Sequence, residues 1–420
     1  MYTQNSGELQ IGPHNEISLP AEIAAQLGLA PGSRVNYSIQ NGELRFQRPA
    51  SHLARIYLEP TNICNLNCST CMRHVWDEPL GYMSQDIFEK VLAALNSYRQ
   101  VYPYTPLPGV FFGGFGEPLF HPEILDMIRR VRAMGAPVEL ITNGVLLDLE
   151  ITNTLIETGV DTLWVSIDGA TPQSYQDVRL GDALPLVLEN LARLRDRRFV
   201  LGSQRPQLGI AFVAMRRNIQ DLPEILQTGI RLGASRFSIS NVLAHTPELR
   251  QEILYAQSQY NGAYSPERLS INLPRMDLTP ETARALAAAF QAGAVSLAGE
   301  SLTHQVNVCP FIQKGSLSVR WDGAVSPCLP LLHTHSSFLD NHPRQTQAHA
   351  VGSLREHSLL EIWNLPDYLA FREKLQAFDF SPCVFCNTCE FSEHNQEDCY
   401  GNTTPTCGGC LWAQGLIQCP

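Results

Sequence analysis

No apolar run in this 420-residue chain reaches the roughly 18 residues that a membrane-spanning helix needs. The opening residues, MYTQNSGELQ, lack both the basic and the apolar stretch of a secretory signal, so the reducing cytoplasm is the expected location. Positive charge is also scarce. Thirty Lys and Arg stand against 41 Asp and Glu, for a net charge of −11. That balance argues against a general affinity for nucleic acid or anionic lipid. Internal repeats and low-complexity tracts are missing as well, which leaves a globular chain of two or three domains.

The most telling absence is cysteine between residues 72 and 308. The chain has 12 cysteines, three at 64–71, two at 309 and 328, and seven between 383 and 419. A disulfide scaffold does not normally leave such a gap, and disulfides rarely persist in the cytoplasm, so the clusters point to metal.

Four regions follow along the chain. Residues 1–50 form a small β-rich unit: a strand Glu16–Pro20, a helix Ala21–Leu29, a Pro31-Gly32 turn, and a hairpin Arg34–Phe46 turning at Asn41-Gly42. Residues 51–245 alternate strand and helix signals. Strands are expected at 54–58, 109–112, 137–141, 162–167, 209–214 and 236–239, and helices at 84–96, 122–134 and 184–195. This α/β pattern implies a parallel sheet covered by helices. Periodicity leaves open whether the sheet is doubly wound or a partial barrel. Residues 246–304 read as a mainly helical connector, with a helix at 279–292 and an extended 271–274. Residues 305–420 hold short strands, a helix near 358–377 and a Cys-rich, loop-dominated end.

Cys64, Cys68 and Cys71 directly follow the first strand of the alternating region. Three thiolates on one loop can hold three irons of a [4Fe–4S] cube and leave the fourth iron open. Spacing alone also allows zinc or unrelated thiols. The C-x3-C-x2-C pattern after a first strand resembles the radical S-adenosylmethionine (SAM) superfamily, whose usual fold is a partial (β/α)6 barrel of the TIM type. That resemblance implies reductive cleavage of SAM and a 5′-deoxyadenosyl radical. Thr70 stands where the family commonly has an aromatic residue. Phe112-Gly-Gly-Phe-Gly-Glu-Pro118 resembles the family motif that meets the SAM amino group, which implies cofactor contacts for Gly114, Gly116 and Glu117. Asn143, Ser166 and Asp168 lie at later strand ends, where the resemblance implies polar contacts with the ribose and methionine parts of SAM, and Arg179 matches a position that often meets the SAM carboxylate. Each also has a plain reading, as a turn residue or, for Arg179, a solvated helix-surface arginine. No catalytic acid or base is assigned.

Cys309, thirteen further residues, then Gly323-Ala-Val-Ser-Pro-Cys328 resemble the opening of the SPASM domain, which carries auxiliary [4Fe–4S] clusters. Cys383, Cys386 and Cys389 follow in a ferredoxin-like run, then Cys399, Cys407, Cys410 and Cys419. Two auxiliary clusters need eight of these nine thiols, and the family's later spacing is not reproduced, so ligand pairing stays open. A zinc ribbon from Cys383/Cys386 and Cys407/Cys410 is the alternative. Asp322 reads as a hairpin-turn residue, and His333 and His335 as a solvated H-x-H pair.

The first 50 residues resemble the AbrB-like swapped-hairpin domain. With only Arg34, Arg45 and Arg48 against four glutamates, they suit homodimerisation or partner docking better than DNA. Together with Cys71-Met-Arg-His-Val-Trp76, Asp398-Cys-Tyr-Gly401 and Cys407-Gly-Gly-Cys410, the chain resembles maturases encoded near tungsten-dependent aldehyde ferredoxin oxidoreductases. The implied partners are a peptide or protein substrate, such as that tungsten enzyme, and a ferredoxin or flavodoxin as electron donor. The alternatives are a ribosomal-peptide modifier, a formylglycine former, or an iron–sulfur redox-sensing DNA regulator.

Overall fold

Short β-rich runs alternate with amphipathic helices because each strand must be covered on the face that water would otherwise meet. The computed structural model describes residues 13–14, 16–29, 35, 37–40, 43–46, 48–179, 182–256, 270–274, 276–277, 279–292, 294–297, 300–301, 307–339, 342–386 and 389–420. Six parallel strands run β1 (Arg55–Leu58), β2 (Gly109–Phe112), β3 (Val138–Thr142), β4 (Thr162–Ser166), β5 (Gln207–Ala214) and β6 (Ala234–Asn241). The helices between them are α1 (Gln85–Val101), α2 (Ile124–Ala133), α3 (Leu149–Thr158), α4 (Pro172–Arg179), α5 (Leu184–Val200) and α6 (Leu222–Arg231).

The six strands lie side by side in sequence order. A doubly wound sheet reverses its order at a switch point, and this one does not. Right-handed crossovers then put every helix on one face, as in a barrel. Side chains follow suit. Ile56, Leu58, Val110, Phe112, Val138, Leu140, Leu163 and Val165 pack in one large core with the helices. The alternate residues Tyr57, Phe111 and Trp164 form a separate inner cluster. Local signals agree with the fold. In α3, the Asp148 carboxylate caps the first turn by accepting the Ile151 N–H, and Gly159 ends the helix at φ +72°.

The tail joins the same sheet. Strand β7 (Ser316–Val319) pairs in parallel with β1, with Ser316 opposite Arg55, and β8 (Ala324–Ser326) returns antiparallel. Asp322 sits in the turn between them, bound to Arg320 at 2.6 Å, as the sequence implied. A second hairpin, β9 (His335–Leu339) and β10 (His342–Thr346), stands apart, and β11 (Gly352–Ser353) closes the large sheet at nine strands. Phe311, Leu329 and Leu332 cover the inner cluster of Tyr57, Phe111 and Trp164. Helices α7 (Leu359–Trp363) and α8 (Pro366–Ala377) split the expected 358–377 helix at Leu365-Pro366. Trp363 and Arg372 donate to the carbonyls of Ser51 and Ala50, tying the tail to the start of the core.

Two regions differ from expectation. The connector holds its helix at Pro280–Ala292, but also a three-stranded sheet of Ser270–Leu273, Ala294–Leu297 and Glu300–Ser301. At the amino end a helix at Ala21–Gln26 precedes an antiparallel pair, Tyr37–Gln40 with Glu43–Phe46. The first expected strand is reduced to a single bridge at Ile17, and both expected turns, 31–32 and 41–42, fall outside the described residues. Among the described residues no helix is long and apolar enough to cross a membrane.

Candidate active site

The loop that leaves β1 carries Cys64, Cys68 and Cys71, and an unusual number of hydrogen bonds hold it. Arg73 donates to the carbonyls of Asn62 and Leu66 at 3.1 and 3.0 Å, and His74 bonds the carbonyl of Cys68 at 3.0 Å. The hydroxyl and N–H of Ser69 both reach the carbonyl of Val178 in α4. Each sulfur meets a donor. Cys64 accepts the Leu66 N–H at 3.4 Å, Cys71 accepts Arg73 Nε at 3.4 Å, and Cys68 accepts Arg179 Nη1 at 3.5 Å. Three thiols with two guanidiniums among their donors suit an anionic, thiolate-held group.

The Gly-rich turn after β2 packs directly on this loop. A Cβ on Gly116 would lie 2.2 Å from the Thr61 carbonyl, and one on Gly114 2.6 Å from the Glu59 side chain. Both glycines are thus required by close approach of the chain itself. Glu117 is buried, with its oxygens accepting from the Thr142 hydroxyl, the Asn143 N–H and the Leu119 N–H at 2.7, 2.7 and 3.1 Å. Burial pushes its carboxyl up to about 7 despite those donors. One acceptor position remains for a cation such as an ammonium group. Asn143 spans from Glu117 to the cluster loop, its Nδ2 donating to Asn65 at 2.8 Å. Gly144 turns the chain there at φ +80°.

Asp168 and Arg179 have a structural task. Asp168 is fully buried, accepts the Val213 N–H at 2.7 Å, and pairs with Arg179 at 2.5 Å. Burial alone would lower the Arg179 pKa, but Asp168, Cys68 and Tyr175 together outweigh it and raise the value. Arg179 is therefore not a solvated helix-surface side chain: it is 12% exposed and bridges Asp168 and Cys68. Ser166 ends β4, opposite Ala211 of β5 in the sheet.

The sequence reading of His333 and His335 as a solvated pair is wrong. Their exposures are 0% and 2%. His333 Nε2 bonds Glu59 Oε2 at 2.9 Å, and Nδ1 bonds Glu78 Oε2 at 2.6 Å. The ring thus bridges two carboxylates from different parts of the chain. Trp76 meets the ring edge-on at 3.9 Å, and Glu59 also accepts the Phe115 N–H of the Gly-rich turn at 3.2 Å. Tail, cluster loop and Gly-rich turn thus converge on one buried imidazole. A cavity of about 630 Å³ between Arg48, Arg55, Glu139 and Lys314 lies at the opposite ends of the strands, away from these groups.

The nine tail cysteines sort by their electrostatic neighbours. Cys328 feels Cys309, Cys410 and Cys407, while Cys386 feels Cys389 and Cys399 and acts in turn on Cys383. Burial pushes Cys309 up to about 12 and Cys328 and Cys407 well above the ordinary thiol range. Cys419 stands beside Cys410, its sulfur accepting Trp412 Nε1 at 3.3 Å. The zinc-ribbon grouping differs from this, since Cys407 and Cys410 neighbour Cys309 and Cys328. Among the described residues no three His, Cys, Asp or Glu side chains converge on the point that a single ion occupies. A cube, unlike a single ion, is gripped from corners several ångströms apart.

Two family models match the chain along these same segments. Residues 58–227 match the Radical SAM superfamily, and residues 309–390 match SPASM, an iron–sulfur cluster-binding domain. The chain belongs to the radical SAM superfamily, and within it to the enzymes that carry a SPASM domain. Membership brings a [4Fe–4S] cluster and SAM as cofactors. More particularly, the chain is 31% identical over 369 residues to the tungsten-containing aldehyde ferredoxin oxidoreductase cofactor-modifying protein of Pyrococcus furiosus, covering 87% of this chain and 96% of that one. It is 26% identical to the PqqA peptide cyclase of Gluconobacter oxydans, over 86% of this chain and 90% of that one. Among solved structures, Streptococcus suis SuiB bound to its precursor peptide SuiA shares the fold, with a TM-score of 0.50, 12% identity, and 83% and 72% of the two chains covered.

Proposed function

We propose that this enzyme matures a tungsten-dependent oxidoreductase, acting on its cofactor or on a peptide of it. The observation that carries this reading is the similarity to the Pyrococcus protein along nearly the whole length of both chains. In this reading Cys64, Cys68 and Cys71 hold the SAM-binding cluster. When bound, cluster and SAM together supply one-electron cleavage of a carbon–sulfur bond and so a 5′-deoxyadenosyl radical. The chain's own residues bind, orient and exclude water. Glu117 offers its remaining acceptor to the SAM amino group, and Gly114 and Gly116 let that shelf lie against the loop. Asn143 and Ser166 offer polar contacts beyond it, while Asp168 holds Arg179 against Cys68.

Cys309, Cys328, Cys407 and Cys410 would hold one auxiliary cluster, and Cys383, Cys386, Cys389 and Cys399 a second, with Cys419 the ninth thiol. A ferredoxin- or flavodoxin-type protein would deliver the electrons in the cytoplasm. Residues 1–50 are an AbrB-like unit in this reading, and their acidic balance favours a homodimer or partner contact over DNA. The domain limits would be 51–245 for the core, 246–304 for the connector and 305–420 for the tail.

Anaerobically reconstituted protein with dithionite is expected to convert SAM to 5′-deoxyadenosine, and no cleavage would sink the enzymatic reading. Loss of the gene should leave the tungsten enzyme inactive, whereas unchanged activity would remove the maturase role. A second reading, modification of a ribosomal peptide, draws on the similarity to PqqA peptide cyclase over 86% of the chain. Deuterium transfer from a labelled peptide into 5′-deoxyadenosine, absent with pterin substrates, would favour it.

A further inference from the structure

Arg344, in β10, is 3% exposed, yet among the described residues no carboxylate lies within ion-pair distance of it. Its Nη1 donates to the Ser392 carbonyl at 2.5 Å, a neutral partner. Asp398, the acid near Cys383 and Cys407, is taken up by the N–H groups of Ser381, Tyr400 and Asn402 and by Asn402 Nδ2. An unpaired buried charge is costly, so the site must receive negative charge from another source.

A cysteine-bearing loop packs against the guanidinium. Gly409, inside Cys407-Gly-Gly-Cys410, lies so close that a Cβ there would stand 2.6 Å from Arg344 Cζ. Its neighbour Gly408 lies against the other cysteine group, where a Cβ would fall 1.6 Å from the Ser381 carbonyl and 3.5 Å from the Cys383 nitrogen. The two glycines therefore bring the Cys407–Cys410 loop against both the guanidinium and the Cys383 segment. Burial lowers the Arg344 pKa, while the fields of Cys383, Cys410 and Cys407 act to raise it. Those cysteines carry charge once deprotonated, as they are when they ligate iron. A cube held by four thiolates is anionic, and reduction adds one more negative charge.

We propose that Arg344 is a positioning residue of electrostatic kind, the buried counter-charge that two tail iron–sulfur clusters share, making both easier to reduce. This rests on the reading of the tail as a two-cluster domain. The test is an EPR-monitored titration with dithionite of the full-length, anaerobically reconstituted protein, with iron counted by Mössbauer spectroscopy. In Arg344→Gln with full iron, the one-electron reduction constant of the tail clusters is expected to fall at least tenfold, about 59 mV. The Cys64/Cys68/Cys71 cluster serves as the unchanged internal control, and Arg344→Lys should recover most of the shift.

Full iron with wild-type potentials in Arg344→Gln overturns the proposal. If Arg344→Gln loses tail iron, Arg344→Lys decides. Retained iron and potential support a charge role, and lost iron overturns it in favour of the guanidinium's fit and its Ser392 bond. Wild-type protein without tail iron would overturn the two-cluster reading itself, and this inference with it, before any substitution is made.

Discussion

Cys68 meets a guanidinium that is itself anchored by a buried acid, so the thiol, Arg179 and Asp168 act as one unit. Removing the middle member strands the Asp168 charge. Arg179→Met is expected to destabilise the fold by about 3 kcal/mol, measured by urea unfolding, because an ion pair broken from one side leaves an uncompensated buried carboxylate. Glu117 gives a pH signature. Its carboxyl is raised from an ordinary 4.5 to about 7 by burial. Below pH 4.5 it is protonated whether the chain is folded or not, and costs nothing. Between 4.5 and 7 the unfolded chain ionises first, so the folded state loses ground as pH rises, by up to about 3 kcal/mol. Glu117→Gln should therefore remove that decline from the apo-protein's stability curve. It should also weaken SAM binding about tenfold or more, since a charge-assisted hydrogen bond is lost, read by equilibrium dialysis. Local motifs made most of these positions legible. Glycine spacing announced a close approach at Gly114 and Gly116, although the neighbour is the chain's own loop. The bridging position of Arg179 was not legible, because a helix-surface periodicity does not reveal what packs beside it.

At the scale of elements, the six strand–helix units could be read from periodicity, since each strand is short, apolar and followed by a helical stripe. Their winding could not. It is carried by strand order, which no local pattern encodes. The segment before β9 is the opposite case. His333 finds Glu59 274 residues away and Glu78 255 residues away, so nothing near it in sequence distinguishes it from a loop histidine. His333→Ala should leave Glu59 and Glu78 together without the ring that bridges them. The expected cost is about 3 kcal/mol, with faster hydrogen exchange in residues 328–339 and in the turn at 113–117. Unaltered exchange in both segments would reduce the contact to chance proximity. Of the connector's three-stranded sheet, only the extended 271–274 was legible, because the other strands are four and two residues long, too short for periodicity to mark.

The whole molecule is organised by a sheet that ignores the expected boundary at residue 305. Strand β7 supplies the neighbour of β1, and Phe311, Leu329 and Leu332 cover Tyr57, Phe111 and Trp164. A chain ending at residue 304 should therefore expose both a sheet edge and an aromatic cluster, and sediment as aggregate. If it stays monomeric and holds the first cluster, the tail is a separable unit after all.

The same pairing sets an order of events during synthesis. Strand β1 emerges from the ribosome early, while its partner β7 follows roughly 260 residues later. At about 5–20 residues per second, β1 waits for some tens of seconds with an open edge. Throughout that interval Cys64, Cys68 and Cys71 hang from an unfinished scaffold. Iron loaded then would be held by a loop whose counterparts His333 and Glu78 have not yet met, so the assembly machinery of the cell does best to deliver the first cluster after translation ends.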